Sequence, residues 1–225
     1  MAVITISREL GSEGDRIANL VCQELGYCRV DKAMLTHIAE EAGVDVKAVL
    51  AKERAVTRQP RLISDQMASL YGKDPTAFGR QAAMDDQTYE RVVRETMERF
   101  AREGNAIIVG RGGQMVLRDW PTALHVRLYA PVDVRTRRLM QRLSISEPEA
   151  RLRVASSDEQ KRQYIRYMHN NASWRDLKYY HLAINTARIS PEVAARMIIL
   201  AAAHEAAHGA GLEGDAQPHP ERDAE

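Results

Sequence analysis

The N-terminal stretch MAVITISRELGSEGDRIANLVCQELG sets the terms for the whole chain. An apolar run from Val3 to Ile6 breaks on Ser7–Arg8–Glu9. Two glycines follow at Gly11 and Gly14, and a helical pattern starts behind them, with Ile17, Leu20, Val21 and Leu25 at helical spacings and Gly26 as its stop. Strand, glycine loop and helix in that order are how a phosphate-binding loop is built.

The same alternation recurs downstream. Tyr27 to Val30 reads as a short strand ending at Asp31, and Lys32 to Ala42 as a helix ended by Gly43. Asp45 can cap a further helix carrying Val46, Val49 and Leu50. Gln59–Pro60–Arg61 and Gly72–Lys73–Asp74–Pro75 punctuate a less regular middle. A long helical stretch then spans Thr76 to Arg102, with Val92, Val93, Met97 and Phe100 as its buried positions and Gly79 as a point of division. Asn105 to Val109 is a compact strand running straight into Gly110–Arg111–Gly112–Gly113. Ala123 to Tyr129 is another strand, and the helix behind Pro131 is loaded with arginine. Ser146 and Glu149 form a capping box around Pro148 and start a separate helix. His181 to Asn185 is the last strand, and Ser190 caps a final helix from Pro191. Strands followed by helices throughout specify an α/β domain with a largely parallel sheet, whose ligands collect at the carboxyl ends of the strands. After Ala203 the apolar period ends and the chain turns Gly/Pro-rich and acidic, which reads as a mobile tail over 204–225.

At 225 residues, 44% hydrophobic and 28% charged, the chain has the material for one large domain with a real core. A net charge of +1 gives no global pull towards a nucleic acid polymer. No 18-residue apolar run and no leader pattern are found, so neither a membrane nor export is expected and a cytoplasmic place is. Cys22 and Cys28 lack a nearby histidine partner and read as free thiols of a reducing compartment. The aromatic group of Tyr164, Tyr167, Trp174, Tyr179 and Tyr180 reads mostly as packing.

The glycine loop departs from the usual pattern GxxxxGK[ST], in which the lysine reaches the outer phosphates and the hydroxyl residue holds magnesium. Behind Gly14 stand Asp15 and Arg16. Asp15 is placed to cap the helix, where it would occupy the N–H groups that a phosphate needs and repel the phosphate as well. On the motif alone, a phosphate loop and a plain strand–turn–helix fit equally well. Arg111 directly after a strand, Asp31 at the end of another and the arginines behind Tyr129 tip the balance towards phosphate, because guanidinium forks hold phosphates well.

Five segments, ITISRELGSEGDRIA, LGYCRVDKAML, EGNAIIVGRGGQMVL, LHVRLYAPVDVRTRRL and DEQKRQYIRYMHNNASWRDLKYYHLAINTARIS, occur in an order and spacing that resembles the cytidylate kinase-like proteins, over about residues 3–199. The resemblance implies a P-loop NTPase-like parallel sheet with helices on both faces, a helical acceptor-binding section over about 32–103 and a basic lid over about 144–176, within a domain spanning 1–203. It implies phosphoryl transfer from ATP or GTP, with Mg2+, to a nucleoside monophosphate such as CMP. Carried over by position, Gly11, Ser12, Glu13, Gly14, Asp15 and Arg16 form the donor-phosphate loop, and Asn185 lies near the donor base. Arg8, Asp31, Arg111 and Lys161 face the acceptor, and Arg16, Arg111, Arg153 and Arg162 act on the transferring group. The long middle helices could pair two copies as a homodimer. The family pattern GSGGRE differs here at Glu13, Asp15 and Arg16, and Val109 stands where relatives carry an aspartate. These departures favour an alternative: a catalytically weak or inactive nucleotide-binding protein that keeps the fold in a regulatory role.

Overall fold

Five parallel strands form one sheet in the order β2-β3-β1-β4-β5. They are β1 (Val3–Arg8), β2 (Cys28–Val30), β3 (Ala106–Val109), β4 (Ala123–Tyr129) and β5 (Leu182–Asn185). The computed structural model describes residues 2–41, 43 and 77–212. The expected helix behind Asp45, the punctuated middle and the chain beyond 212 lie outside the described residues.

The central strand shows why both faces are covered. Its side chains alternate across the sheet. Ile4 and Ile6 join Ile107, Val109, Leu124 and Val126 under α1 (Gly14–Leu25) and α7 (Pro191–Leu212), through Ile17, Val21, Ala194 and Ile198. Val3, Ala106 and Ile108 face the opposite layer, formed by α2 (Lys32–Glu41) and α3 (Ala77–Glu103), through Leu35, Tyr89, Val93 and Met97. A strand buried on both sides reads as a continuous apolar run, which is how VITI and AIIV appear in the sequence. The remaining helices are α4 (Gly113–Val116), α5 (Val132–Leu143) and α6 (Glu147–Met168), and a 3-10 turn covers Leu177–Tyr179.

All five expected strands are present in one parallel sheet. Helix boundaries differ in three places. Gly79 does not divide the long helix, which runs unbroken from Ala77 to Glu103. The capping box at Ser146 is absent: α6 starts at Glu147 with Pro148 in its first turn, but Ser146 makes no side-chain cap bond and Glu149 is drawn to Arg153 instead. The last helix passes Ala203 and continues to Leu212, because the alanine-rich run AAAHEAAHGA has high helix propensity without needing an apolar period. Ser190 does cap that helix, its Oγ accepting from the Val193 N–H at 3.3 Å. Among the described residues, no helix is long and apolar enough to cross a membrane.

Candidate active site

Because the sheet is parallel, the carboxyl ends of β1, β2 and β3 open on one side, and each delivers a polar group there. The loop after β1 is a phosphate-loop geometry in its backbone. Gly11 takes φ 82°, Glu13 takes φ 61° as the residue ahead of α1, and the helix begins at Gly14. Ser12 is fully buried, and its hydroxyl donates to the Glu9 carbonyl at 2.8 Å, which closes the turn. Gly14 lies against the Arg8 side chain with no room for a Cβ.

Asp15 does not cap α1. It sits inside the first turn, and its carboxylate turns outwards to Arg29, 2.8 Å away, and to Arg8 Nε at 3.5 Å. No side chain caps the helix start, so the first-turn N–H groups and the positive end of the helix remain open to an anion. Arg16 lies on the far side, bound to Glu192 at 2.7 Å and near Glu13 at 3.6 Å.

The loop after β3 carries three successive left-handed residues: Gly110 (φ 85°), Arg111 (φ 52°) and Gly112 (φ 73°). For an arginine this backbone costs roughly 1–2 kcal/mol, and such strain collects where a side chain must be aimed. The Arg111 guanidinium stacks 4.5 Å from the Tyr164 ring centroid and 5.8 Å from that of Tyr89. Gly112 in turn makes room for His169 at the end of α6.

Between the end of β1, the loop after β3 and α6 lies a cleft of about 250 Å3. Arg8, Lys32, Arg111 and Lys161 line it, together with Val109, Gln114, Tyr164 and Trp174. Among the described residues, no aspartate or glutamate lines it. Lys161 reaches in from α6, and its Nζ donates to the Arg8 carbonyl at 2.9 Å. Burial first, and the charge of Arg8 second, push its ammonium down to about 8.

The nearest acids are already committed. Glu9 is buried, with one oxygen 2.9 Å from Arg127 and the other 3.2 Å from Arg135. Arg135 is also buried and binds Asp158 of α6 in a fork at 3.0 and 2.9 Å. Arg138 spans from the Gly11 carbonyl (3.3 Å) to the Thr186 carbonyl (2.7 Å), joining the first loop to the end of β5.

The residues picked out from sequence thus divide. Arg8, Arg111 and Lys161 meet in one cleft, with the 11–14 loop adjoining it through Arg8. Asp31 ends β2 and caps α2, accepting from the Ala33 and Met34 N–H groups at 3.0 and 3.3 Å. Asn185 ends β5, where its Oδ1 accepts from the Ala187 N–H at 3.1 Å. Arg153 and Arg162 are half-exposed and pair along the helix surface with Glu149 and Glu159. Lys32, Gln114 and Trp174 line the cleft without having been singled out for it. Trp174, read as packing, is indeed almost wholly buried, but between Arg127 (4.6 Å) and Arg175 (5.3 Å). Glu9, read as a mere interruption of the first strand, is the hub of the buried ion network.

With this geometry in view, comparison with known proteins is decisive on descent. The model of the cytidylate kinase-like family matches residues 3–188. The chain belongs to that family. Among curated relatives, the cytidylate kinase of Pyrococcus horikoshii is 34% identical over 132 residues, which are 58% of this chain and 66% of that one. The matched part therefore spans just under two thirds of that relative. The cytidylate kinase of Ignicoccus hospitalis is 28% identical over 200 residues, covering 88% of this chain and 97% of its own. A crystal structure of an uncharacterized protein from Eubacterium ventriosum superposes with a TM-score of 0.65 at 19% identity, over 90% of this chain and 99% of that one. The shared architecture is the P-loop NTPase-like α/β fold, the same one that places the glycine loop of this cytidylate kinase-like protein at the end of its central strand.

Proposed function

We propose that this protein transfers a phosphoryl group from ATP or GTP to a nucleoside monophosphate, with CMP the first acceptor to test. The observation that carries the reading is the cleft itself, lined among the described residues by four cationic side chains and no carboxylate, at the strand ends near a helix start without a side-chain cap. Such a site suits the clustered negative charge of two facing phosphates. Phosphoryl transfer needs in-line placement and charge neutralisation rather than a covalent nucleophile.

In this reading the backbone of residues 11–14 and the start of α1 hold donor phosphates. Arg111, aimed by its stacked tyrosines, grips the acceptor phosphate through a planar fork. Asp31 and Lys32 stand at the acceptor side, and Asn185 with Thr186 stands towards the donor base. Arg16, Arg153 and Arg162 are assigned no contact with the reacting group, since each is engaged with a surface carboxylate. Magnesium enters with the nucleotide. It would be held largely through phosphate oxygens and water; among the described residues no cluster of three acidic, His or Cys side chains is present, and the buried Ser12 hydroxyl donates its proton to the Glu9 carbonyl.

Binding without turnover is a second reading, favoured by Val109 at the end of β3 and Asp15 in the first turn of α1. One experiment separates the two. Labelled ATP and GTP are incubated with CMP, dCMP, UMP, AMP and GMP, and nucleotide binding is titrated in parallel. Magnesium-dependent transfer to at least one monophosphate is expected. Binding without transfer would establish the second reading, and neither binding nor transfer at millimolar ligand would remove both.

A further inference from the structure

The loop of this protein lacks the cation that a phosphate loop ordinarily supplies from the first turn of its helix. Asp15 occupies that turn and is drawn away to Arg29 and Arg8. We propose that Lys161, entering from α6, is the replacement: a phosphate-contacting ammonium delivered to the mouth of the loop by the helix across the cleft. This inference rests on the kinase reading above and names the cation at its centre.

Three observations carry it. Lys161 Nζ sits 2.9 Å from the carbonyl of Arg8, the last residue of β1 and the point from which the loop departs. Its side chain lines the same cleft as Arg8 and Arg111. Its position is also fixed from behind. Asp158, one helical turn earlier, is locked to the buried Arg135, which is bound in turn to Glu9 at the start of the loop. Loop and helix therefore hold a common frame, which keeps the backbone of Lys161 beside the end of β1.

An ammonium has three donors. Among the described residues the Arg8 carbonyl takes one, so the others are available to phosphate oxygens. A half-buried cation with other cations beside it is costly to keep, and its retention makes sense where an anion arrives to neutralise it. The groups facing it are Arg8 on β1 and Arg135 on α5, which disfavour its charge, and Asp158 on α6 and Glu9 after β1, which favour it. Arg111 and Lys32 add positive charge from the rest of the cleft wall. With its pKa near 8, the free protein loses this charge as pH rises through 8, and kcat/KM for the donor should fall along the same limb.

The test compares the parent with Lys161→Met and Lys161→Arg in steady-state transfer from MgATP to CMP, from pH 6.5 to 9.5, with inorganic pyrophosphate titrated calorimetrically and melting followed throughout. Lys161→Met should lower kcat by about 100-fold, leave the CMP KM within about threefold and melt no lower than the parent. Lys161→Arg should keep kcat within about tenfold and lose the alkaline limb, because guanidinium stays charged throughout this range. If the parent transfers phosphate and Lys161→Met loses less than tenfold, Lys161 is not the missing cation and the kinase reading stands. If the parent transfers to no monophosphate, the kinase reading fails by itself, and pyrophosphate decides for Lys161. At least tenfold weaker binding in Lys161→Met supports its role, and unchanged binding overturns it.

Discussion

At the scale of single residues, the site depends on where charges are turned, not on how many there are. Arg111 holds a backbone that few side chains adopt, and its guanidinium is stacked on a ring from α3 and a ring from α6. Replacing it with alanine should weaken monophosphate binding by about tenfold to 100-fold, the worth of a charged hydrogen-bonded pair. The melting point should fall only modestly, because alanine keeps the Cβ and with it the same left-handed backbone, so that the stacking alone is lost. Isothermal titration with CMP and a thermal melt measure the two effects, and unchanged acceptor affinity would take Arg111 out of the site. Asp15 is the opposite case. Had it capped the helix, Asp15→Asn would have been expected to tighten ATP threefold to tenfold. Its carboxylate is already neutralised by Arg29 and Arg8, so the substitution should tighten ATP by no more than about threefold, through release of Arg8 and a screened charge near the helix start. A change beyond tenfold would show that the carboxylate reaches the phosphates after all.

At the scale of elements, the junction of β1 with the loop is secured by charge. Glu9 joins β4 through Arg127 and α5 through Arg135, and Asp158 extends the chain of ion pairs into α6. Removing one charge from a buried network leaves the others uncompensated. Glu9→Gln should therefore cost about 3–5 kcal/mol of stability, measured by denaturant unfolding. A loss under 1 kcal/mol would mean that water or a rearranged partner replaces the carboxylate. This network also marks where reading the sequence stops. Strands such as AIIV and ITI are legible because apolar runs between glycines leave few alternatives, and Arg111 is legible because it follows such a run directly. Glu9 and Arg135 are not legible, since their partners lie 118 and 23 residues away and only the folded sheet brings them together. The same holds for Asp15, whose partner Arg29 comes from the start of the neighbouring β2, and for Lys161, which looks like one basic residue among several on a charged helix.

At the scale of the whole molecule, one buried and one half-buried histidine, His125 and His169, govern the response to acid. His125 on β4 bonds Thr5 of β1 at 2.8 Å and the Leu117 carbonyl at 3.1 Å. A carbonyl can only accept, so Nε2 carries the proton and Nδ1 accepts from the threonine hydroxyl. Burial first and the neighbouring His181 second hold His125 down to about 4. His169 fits against Gly112, and burial followed by the charge of Arg94 holds it down to about 4 as well. In the unfolded chain both would titrate near 6.5. Between those values the unfolded state binds more protons, so stability is present above pH 6.5, falls as pH drops towards 4 and levels off below it. Each histidine contributes about 3 kcal/mol across that window. The stretch from pH 6.5 to 5 is the informative one, because ordinary carboxylates remain ionised there. Denaturant unfolding at half-unit steps should show stability falling with a slope approaching two protons, and His169→Gln should remove about one of them. It should leave the other in place, since His125 sits on β4 with Thr5, Leu117 and His181 as its partners. A flat profile over this stretch in the parent would mean that both rings take up protons without opening the fold.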